Sequence, residues 1–300
     1  MKIALELAET LAAVVDEGTL DAAARRLHIT PSAVSQRIKT LERELGRVLL
    51  VRSKPARVTD AGAVVVRLAR QLTLLEHDAR AALGAEEDGQ DAPVTVPLAV
   101  NADSLATWFL APLARLAVEH PVCFELHRDD QEYTTGQLEE GLVMGAVTSQ
   151  AEAVAGCSVT PIGTMRYRAV AAPAFAARWF PDGATAGALA AAPAVDFNRK
   201  DELQTDWLVA RGVDPSVPPR HQVPSSADFA TAVRMGMGWG MLPPFQCDQD
   251  LATGALTSLG DPPIDVPLYW QQWNLRSGLL DAVGAAIVAE GRRALADPAG

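Results

Sequence analysis

TPSAVSQRIKTLERELG, residues 30–46, decides the fold. Thr30 offers a hydroxyl at the N-cap position, and Pro31 supplies the fixed φ that a first helical residue needs. Ala33, Val34, Ile38, Leu41 and Leu45 recur at threes and fours, which marks one apolar face of a helix. Gly46 stops it. The opposite face carries Ser32, Ser35, Gln36, Arg37 and Lys39. Short polar side chains and one or two long cations near a helix N-terminus suit the edges of base pairs in a major groove.

The surrounding residues give this helix its setting. Residues 4–17 form an earlier amphipathic helix with Leu7, Leu11, Val14 and Val15 inward, and Gly18 ends it. Thr19 caps a short second helix, LDAAARRL, and His28-Ile29 makes the turn into the third. Downstream, the β-prone runs 48–52 and 56–58 flank Ser53-Lys54-Pro55 and predict a small hairpin wing. Arg52, Lys54 and Arg57 on that wing suit phosphates. A fourth helix is expected from Asp60 to about Glu87, with Val64, Val65, Leu68, Leu72, Leu75, Ala79 and Leu83 on a repeating stripe. A helix that long needs a partner beyond the wing, and a second copy of itself is the expected one. EEDGQDAP, residues 86–93, is a polar linker.

Charge supports this reading. The 300-residue chain carries a net charge of −11, which by itself argues against nucleic acid. Yet nine Lys/Arg face two Asp/Glu between Arg25 and Arg57, whereas residues 91–300 hold 13 Lys/Arg and 24 Asp/Glu. A basic block in an acidic chain points to a DNA-binding module joined to something else. No apolar leader and no membrane-length apolar run is visible, so a cytoplasmic location is expected, with no membrane partner. Three cysteines (Cys123, Cys157, Cys247) lack paired spacing, and the five histidines lack ligand spacing. Neither a metal site nor a cofactor is expected. No nucleophile elbow or catalytic triad pattern is visible, so no catalytic residue is assigned and the chain is not expected to be an enzyme.

From Val94 strands and helices alternate: VTVPLAV, then LATWFLAPLARLAVEH, CFELHR, LVMGAVT, RYRAVAAP, WGMLP and VPLYWQQW, with a closing helix from Gly278. This rhythm predicts an α/β domain with parallel pairing. Ligands of such domains bind beyond the carboxyl ends of the strands. Asn101, Asp103 and Ser104 follow the first strand, and Ser225-Ser226 open a later helix. Either helix N-terminus suits a carboxylate, although Ser104 and Ser226 are equally explained as N-caps. Asp103, Asp129 and Asp130 suit an ammonium or guanidinium, and a solvated loop explains the last two equally well. Thr148 falls where the chain leaves the first half. GMGWG, residues 236–240, lacks nucleotide-loop spacing and reads as a helix end entering a strand. Trp270 and Trp273 alternate on a strand and are expected to pack.

The segment from Ala23 to Gly62 closely resembles the N-terminal region of LysR-type transcriptional regulators. The shared pattern runs through AAxxL, TPSAVSQxI, LExxLG and VTxAG, with Leu50 where the family usually has phenylalanine, a change of packing. NADSLATWF, GAVT, GCSVTPIGTMRY, VPSSADF, GMGWGMLP and PLYWQQW resemble the ArgP/LysG branch. The resemblance implies an all-α winged helix-turn-helix N-terminal domain with a long linker helix, followed by an α/β effector domain of two Rossmann-like subdomains, as in periplasmic binding proteins. The expected bounds are 1–60 for the DNA-binding domain, 61–90 for the linker and 91–300 for the effector domain. Subdomain I then takes about 91–160 and 267–300, and subdomain II about 161–266. It further implies that Thr30 and Pro31 join the other helix residues at DNA, and that the chain meets double-stranded operator DNA, a second copy or a tetramer through the linker helix and effector domain, and RNA polymerase. The implied effector is a basic amino acid, L-lysine or L-arginine, and the implied target an amino-acid exporter gene. A LysR-type regulator with another effector, and an architectural DNA-binding protein without one, are the alternatives.

Overall fold

The structure is a computed structural model that describes residues 3–51, 53–83, 93–128 and 134–296. In chain order the elements begin with α1 (Leu5–Glu17), α2 (Leu20–Arg26), α3 (Pro31–Leu45), β1 (Leu50–Val51), β2 (Arg57–Val58) and α4 (Asp60–Ala82). Then come β3 (Val94–Val100), α5 (Ala102–Thr107), α6 (Leu110–Glu119), β4 (Val122–Arg128), α7 (Thr134–Glu139), β5 (Gly145–Thr148) and β6 (Cys157–Ala171). The remainder is α8 (Pro173–Trp179), α9 (Ala186–Ala191), β7 (Ala194–Asp196), α10 (Leu203–Val209), β8 (Arg220–Gln222), α11 (Ser226–Arg234), β9 (Gly240–Leu242), α12 (Pro244–Thr253), β10 (Thr257–Ser258), β11 (Ile264–Trp273) and α13 (Gly278–Ala294).

Local chemistry sets the head. Thr19 Oγ1 accepts the Ala22 N–H at 3.2 Å and Thr30 Oγ1 accepts that of Ala33 at 3.2 Å, so both N-caps hold. Gly18 and Gly46 close α1 and α3 in the left-handed region, at φ 69° and 63°. Leu11, Val14, Ala23, Val34, Ile38, Leu41, Leu49 and Val66 fill one core shared by α1–α4 and the wing. The wing hairpin is shorter than expected, pairing Leu50 with Val58 and Val51 with Arg57. Its root is fastened instead by side chains. Glu42 Oε1 accepts the Leu49 N–H at 2.9 Å, and Thr59 Oγ1 donates to Val48 O at 2.7 Å while capping Gly62 N at 3.1 Å.

The α4 stripe read from the sequence merges two faces. Val65, Val66, Ala69 and Leu74 are buried, whereas Val64 and Leu75 are exposed and Leu68 and Leu72 half-buried. Residues 84–92, which include the expected end of this helix and most of the polar linker, lie outside the described residues.

Two compact units divide the chain. One gathers Met1–Asn101, Ala111–Thr160 and Tyr269–Ala289; the other gathers Ala102–Leu110, Pro161–Leu268 and Glu290–Gly300. In the first, β4, β3 and β5 are parallel neighbours and β11 pairs antiparallel with β5. In the second, β6 pairs antiparallel with β9 and β10, and β7 pairs parallel with β8. Its core holds Val170, Val195, Phe229, Val233, Leu242 and Cys247, beside Trp207 and Trp239 at 5.1 Å between ring centroids. Trp270 and Trp273 are buried, and Gly236 turns at φ 78° between α11 and β9.

Two expectations differ from this. The helix expected over LATWFLAPLARLAVEH is broken in two at Trp108-Phe109, whose rings bury edge to face at 5.7 Å. The first of these pieces belongs to the second unit, as do residues 290–296.

Candidate functional site

On α3, Ser32, Gln36 and Lys39 are exposed at spacings of four and three, which puts them on one stripe, and Arg43 continues it. Ser35 is half-buried. Thr30 is occupied as the cap and also contacts Ser32 Oγ at 2.9 Å, and Pro31 has no N–H to offer. Arg37 is half-buried, and its guanidinium turns back onto α1, pairing with the exposed Glu6 and donating to Thr10 Oγ1 at 3.3 Å. A pair with so exposed a carboxylate contributes about 0–1 kcal/mol, so meeting DNA requires Arg37 to exchange this partner. Lys54 and Arg57 are exposed on the wing, and Arg52 lies outside the described residues.

In the second unit, α5 and α11 bring two separately expected groups together. Asp103 Oδ1 accepts the Ser226 hydroxyl at 2.6 Å, and Asp103 Oδ2 accepts the Tyr167 hydroxyl at 2.7 Å. Gln246 Nε2 in turn donates to Ser226 Oγ at 2.8 Å. The residue Asp103 is half-buried by surface area, but its carboxylate end is enclosed, and that burial pushes its pKa up against the two hydroxyl bonds. Burial and the Asp103 charge together push the Tyr167 phenol well above its usual range. Ser226 was expected to help hold an anion. Its hydroxyl faces a carboxylate instead, so it is part of an acid-centred network. Ser225 is the N-cap of α11, accepting from Asp228 N at 3.5 Å. Ser104 is not a cap: it lies inside α5, fully buried, and its Oγ has no hydrogen-bond partner.

The sequence reading missed Asp201. It sits between the end of β7 and the start of α10, where its two oxygens accept the Phe197 N–H at 2.8 Å and the Leu203 N–H at 3.2 Å. Burial raises its pKa to about 6, with the charges of Asp196 and Asp103 adding to the rise. Asp196 is itself buried and bridged by Arg220 at 2.7 Å. Position after a strand and before a helix was the available cue.

In the first unit, Asn101 is buried at the end of β3 and its Oδ1 has no partner. Thr148 ends β5, fully buried, and accepts the Gln150 N–H at 3.1 Å. Asp129 and Asp130 lie outside the described residues. Among the described residues, no group of three or more His, Cys, Asp or Glu is placed to hold a metal ion, and no helix is long and apolar enough to cross a membrane.

Comparison with known proteins assigns both parts. Residues 5–63 match the bacterial regulatory helix-turn-helix protein model of the lysR family, and residues 95–289 match the LysR substrate binding domain. The HTH-type transcriptional regulator LysG of Mycobacterium tuberculosis is 46% identical over 281 residues, spanning 92% of this chain and 91% of its own. The lysine export transcriptional regulatory protein LysG of Corynebacterium efficiens is 43% identical over 289 residues, spanning 96% and 97%. Among solved structures, ArgP from Mycobacterium tuberculosis aligns with a TM-score of 0.81 and 43% identity, covering 95% of this chain and 96% of that one. Full-length LysG from Corynebacterium glutamicum with bound effector Arg aligns with a TM-score of 0.75 and 38% identity, covering 97% and 98%. The capped recognition helix, the wing and the α/β domain thus have a common explanation, and this chain belongs to the LysR family of transcriptional regulators, in the branch of LysG and ArgP.

Proposed function

We propose that this regulator reads operator DNA with α3 and the wing, senses L-lysine or L-arginine in its α/β domain, and controls an amino-acid exporter gene. The enclosed carboxylates of the second unit, Asp103 and Asp201, carry the choice of a cationic effector. A buried carboxylate gains most from a cation, because the ion pair replaces the solvation it has lost. The relatives named for lysine export and the relative with bound effector Arg support the same chemistry. Ser32, Ser35, Gln36 and Lys39 then face base edges, and Lys54 and Arg57 face phosphates. The exposed Val64 and Leu75, with half-buried Leu68 and Leu72, form the face of α4 for a second copy. The operator is expected to have two half-sites matched to that dimer or its tetramer.

The deciding experiment is a titration of promoter DNA next to the protein's own gene, with random competitor, with and without each amino acid. A specific complex whose affinity or footprint changes with lysine or arginine supports the reading. Specific binding indifferent to both points to another effector, and no preference over competitor points to an architectural role. In the same titration Lys54→Ala is expected to weaken all sequences alike and to lower the salt slope by about one, whereas Gln36→Ala costs about 1–3 kcal/mol at one base step only.

Asp201 adds a pH test. A cation bound beside it favours the ionised form, so effector binding near pH 6 drives off a proton, and above pH 8 there is none left to lose. Calorimetry at pH 6 in buffers of different ionisation enthalpy is expected to give different apparent heats, converging at pH 8. Equal heats at pH 6 would remove Asp201 from the ligand's surroundings.

A further inference from the structure

One face of α4 carries Arg67, Arg70, Leu74 and Asp78, at spacings of three, four and four. Each is engaged within the first unit. Arg67 Nη2 donates to Glu139 O at 2.6 Å and to Leu138 O at 3.3 Å, and Arg70 Nη1 donates to Gly141 O at 2.5 Å. Leu138 and Glu139 end α7 and Gly141 follows it, so both guanidinium groups sit at a helix C-terminus, whose carbonyls favour a cation. Three turns along α4, Asp78 accepts the Gly278 N–H at 3.0 Å and the Leu279 N–H at 3.4 Å. These are the first donors of α13, where the dipole favours an anion. Leu74, between the two ends, is fully buried. Gly141 marks how closely the partners meet: a Cβ there would lie 3.0 Å from both Ala63 O and Arg67 Cβ.

Arg70 has a second arm. Its Nη2 donates to Asp16 on α1, and Asp16 also receives Arg26 Nη1 of α2 at 2.9 Å. The Arg70 side chain is 10% exposed and that of Asp16 15%. One guanidinium therefore joins the DNA-binding helices to the body that carries β3–β5 and α7.

We propose that Arg70 is a positioning residue that holds the DNA-binding head on the β3–β5 and α7 part of the same unit, so that a change in that part alters how the head meets DNA. Arg70 and Asp16 line an open cleft that Arg26 and Glu125 also line, so the bridge lies at the edge of the apolar core. The proposal rests on the reading of this chain as an effector-responsive regulator only for what drives the change, not for the bridge itself.

The test uses the full-length protein with Arg70→Ala, Arg70→Lys and Asp16→Asn. Arg70→Ala is expected to bind operator and effector within about threefold of the unaltered protein but to lose the change in footprint that effector brings. Arg70→Lys keeps one charge contact and recovers part of the response. Asp16→Asn combined with Arg70→Ala is no worse than either alone. The bridge is also measured without ligand, as the distance distribution between spin labels carried on non-natural side chains at Glu44 and Glu119. It is expected to be narrow in the unaltered protein and broad in Arg70→Ala. An unchanged distribution, or a full footprint response in Arg70→Ala, overturns the proposal. An unaltered protein that ignores lysine and arginine, yet shows the broadening in Arg70→Ala, overturns the effector reading and leaves the bridge standing.

Discussion

Gly62→Ala is expected to unfold the head and to lower operator affinity at least about a hundredfold, while the α/β domain still binds its ligand. Gly62 lies in the first turn of α4, and a Cβ built there falls 2.0 Å from Leu49 O and 3.2 Å from Val58 Cβ. Neither neighbour can move alone. Leu49 is fully buried, its N–H is taken by Glu42, and its carbonyl accepts the Thr59 N–H at 3.0 Å. One methyl group therefore displaces the wing root, the α4 cap and the core beneath them together. Overpacking of a well-filled core costs about 1–3 kcal/mol and more where backbone is forced to shift, so the upper end applies. The contrast is Gly46→Ala. That glycine also sits in a turn, at φ 63°, but a Cβ there meets nothing within 4 Å. Its cost is the left-handed conformation alone, about 1 kcal/mol. Chemical denaturation and operator titration on both variants separate the two causes. A Gly62→Ala protein that unfolds like the unaltered one and holds its operator would mean that the wing root gives way at little cost.

Much of the head was legible in the sequence because Thr30, Pro31 and Gly46 act on residues a few positions away, so their chemistry is local and a pattern records it. The approach of Gly62 to Leu49 spans 13 residues, and no local pattern records it. Arg37 shows the limit. A helical wheel puts it beside the reading face, but its partner Glu6 is on α1, 31 residues earlier. The break at Trp108-Phe109 is hidden for a related reason. LATWFLAPL is apolar but for Thr107, and periodicity cannot separate two short helices from one long helix there. Asp103 was read as an acid beside a helix N-terminus, correctly by position. That its partners are Tyr167 and Ser226, 64 and 123 residues away, is a property of the tertiary fold. Asp201 lay in a stretch, FNRKDEL, whose charges look like an ordinary solvated loop.

Asp103→Asn is expected to weaken lysine or arginine binding about 10- to 150-fold without loss of effector-free stability at neutral pH. The amide is the same size as the carboxylate and keeps one acceptor. Its NH₂ can donate to the other hydroxyl, since a hydroxyl both donates and accepts. The network with Tyr167 and Ser226 therefore survives in rearranged form, and what disappears is the charge. A hydrogen bond to a charged group contributes about 1.5–3 kcal/mol, which sets the expected loss of affinity. Stability moves the other way. Burial raises the pKa of Asp103 in the folded protein, so the folded state holds its proton to higher pH than the unfolded chain does. The ionised side chain thus costs stability once pH exceeds the folded value, and below the unfolded value the cost vanishes. Asparagine removes that cost, so the variant's melting temperature at pH 8 should equal or exceed that of the unaltered protein, with the difference closing in acid. Asp103→Ala is the harsher control. It strands the buried Tyr167 hydroxyl and removes an acceptor from Ser226, at about 1–3 kcal/mol for each unsatisfied group, so it should lose stability as well as affinity. Calorimetry and thermal melts across pH on the two variants test charge and hydrogen bonding separately. An asparagine variant that binds lysine and arginine as before would make Asp103 a structural anchor for α5 and α11, and would shift the search for the effector's cation partner to Asp201.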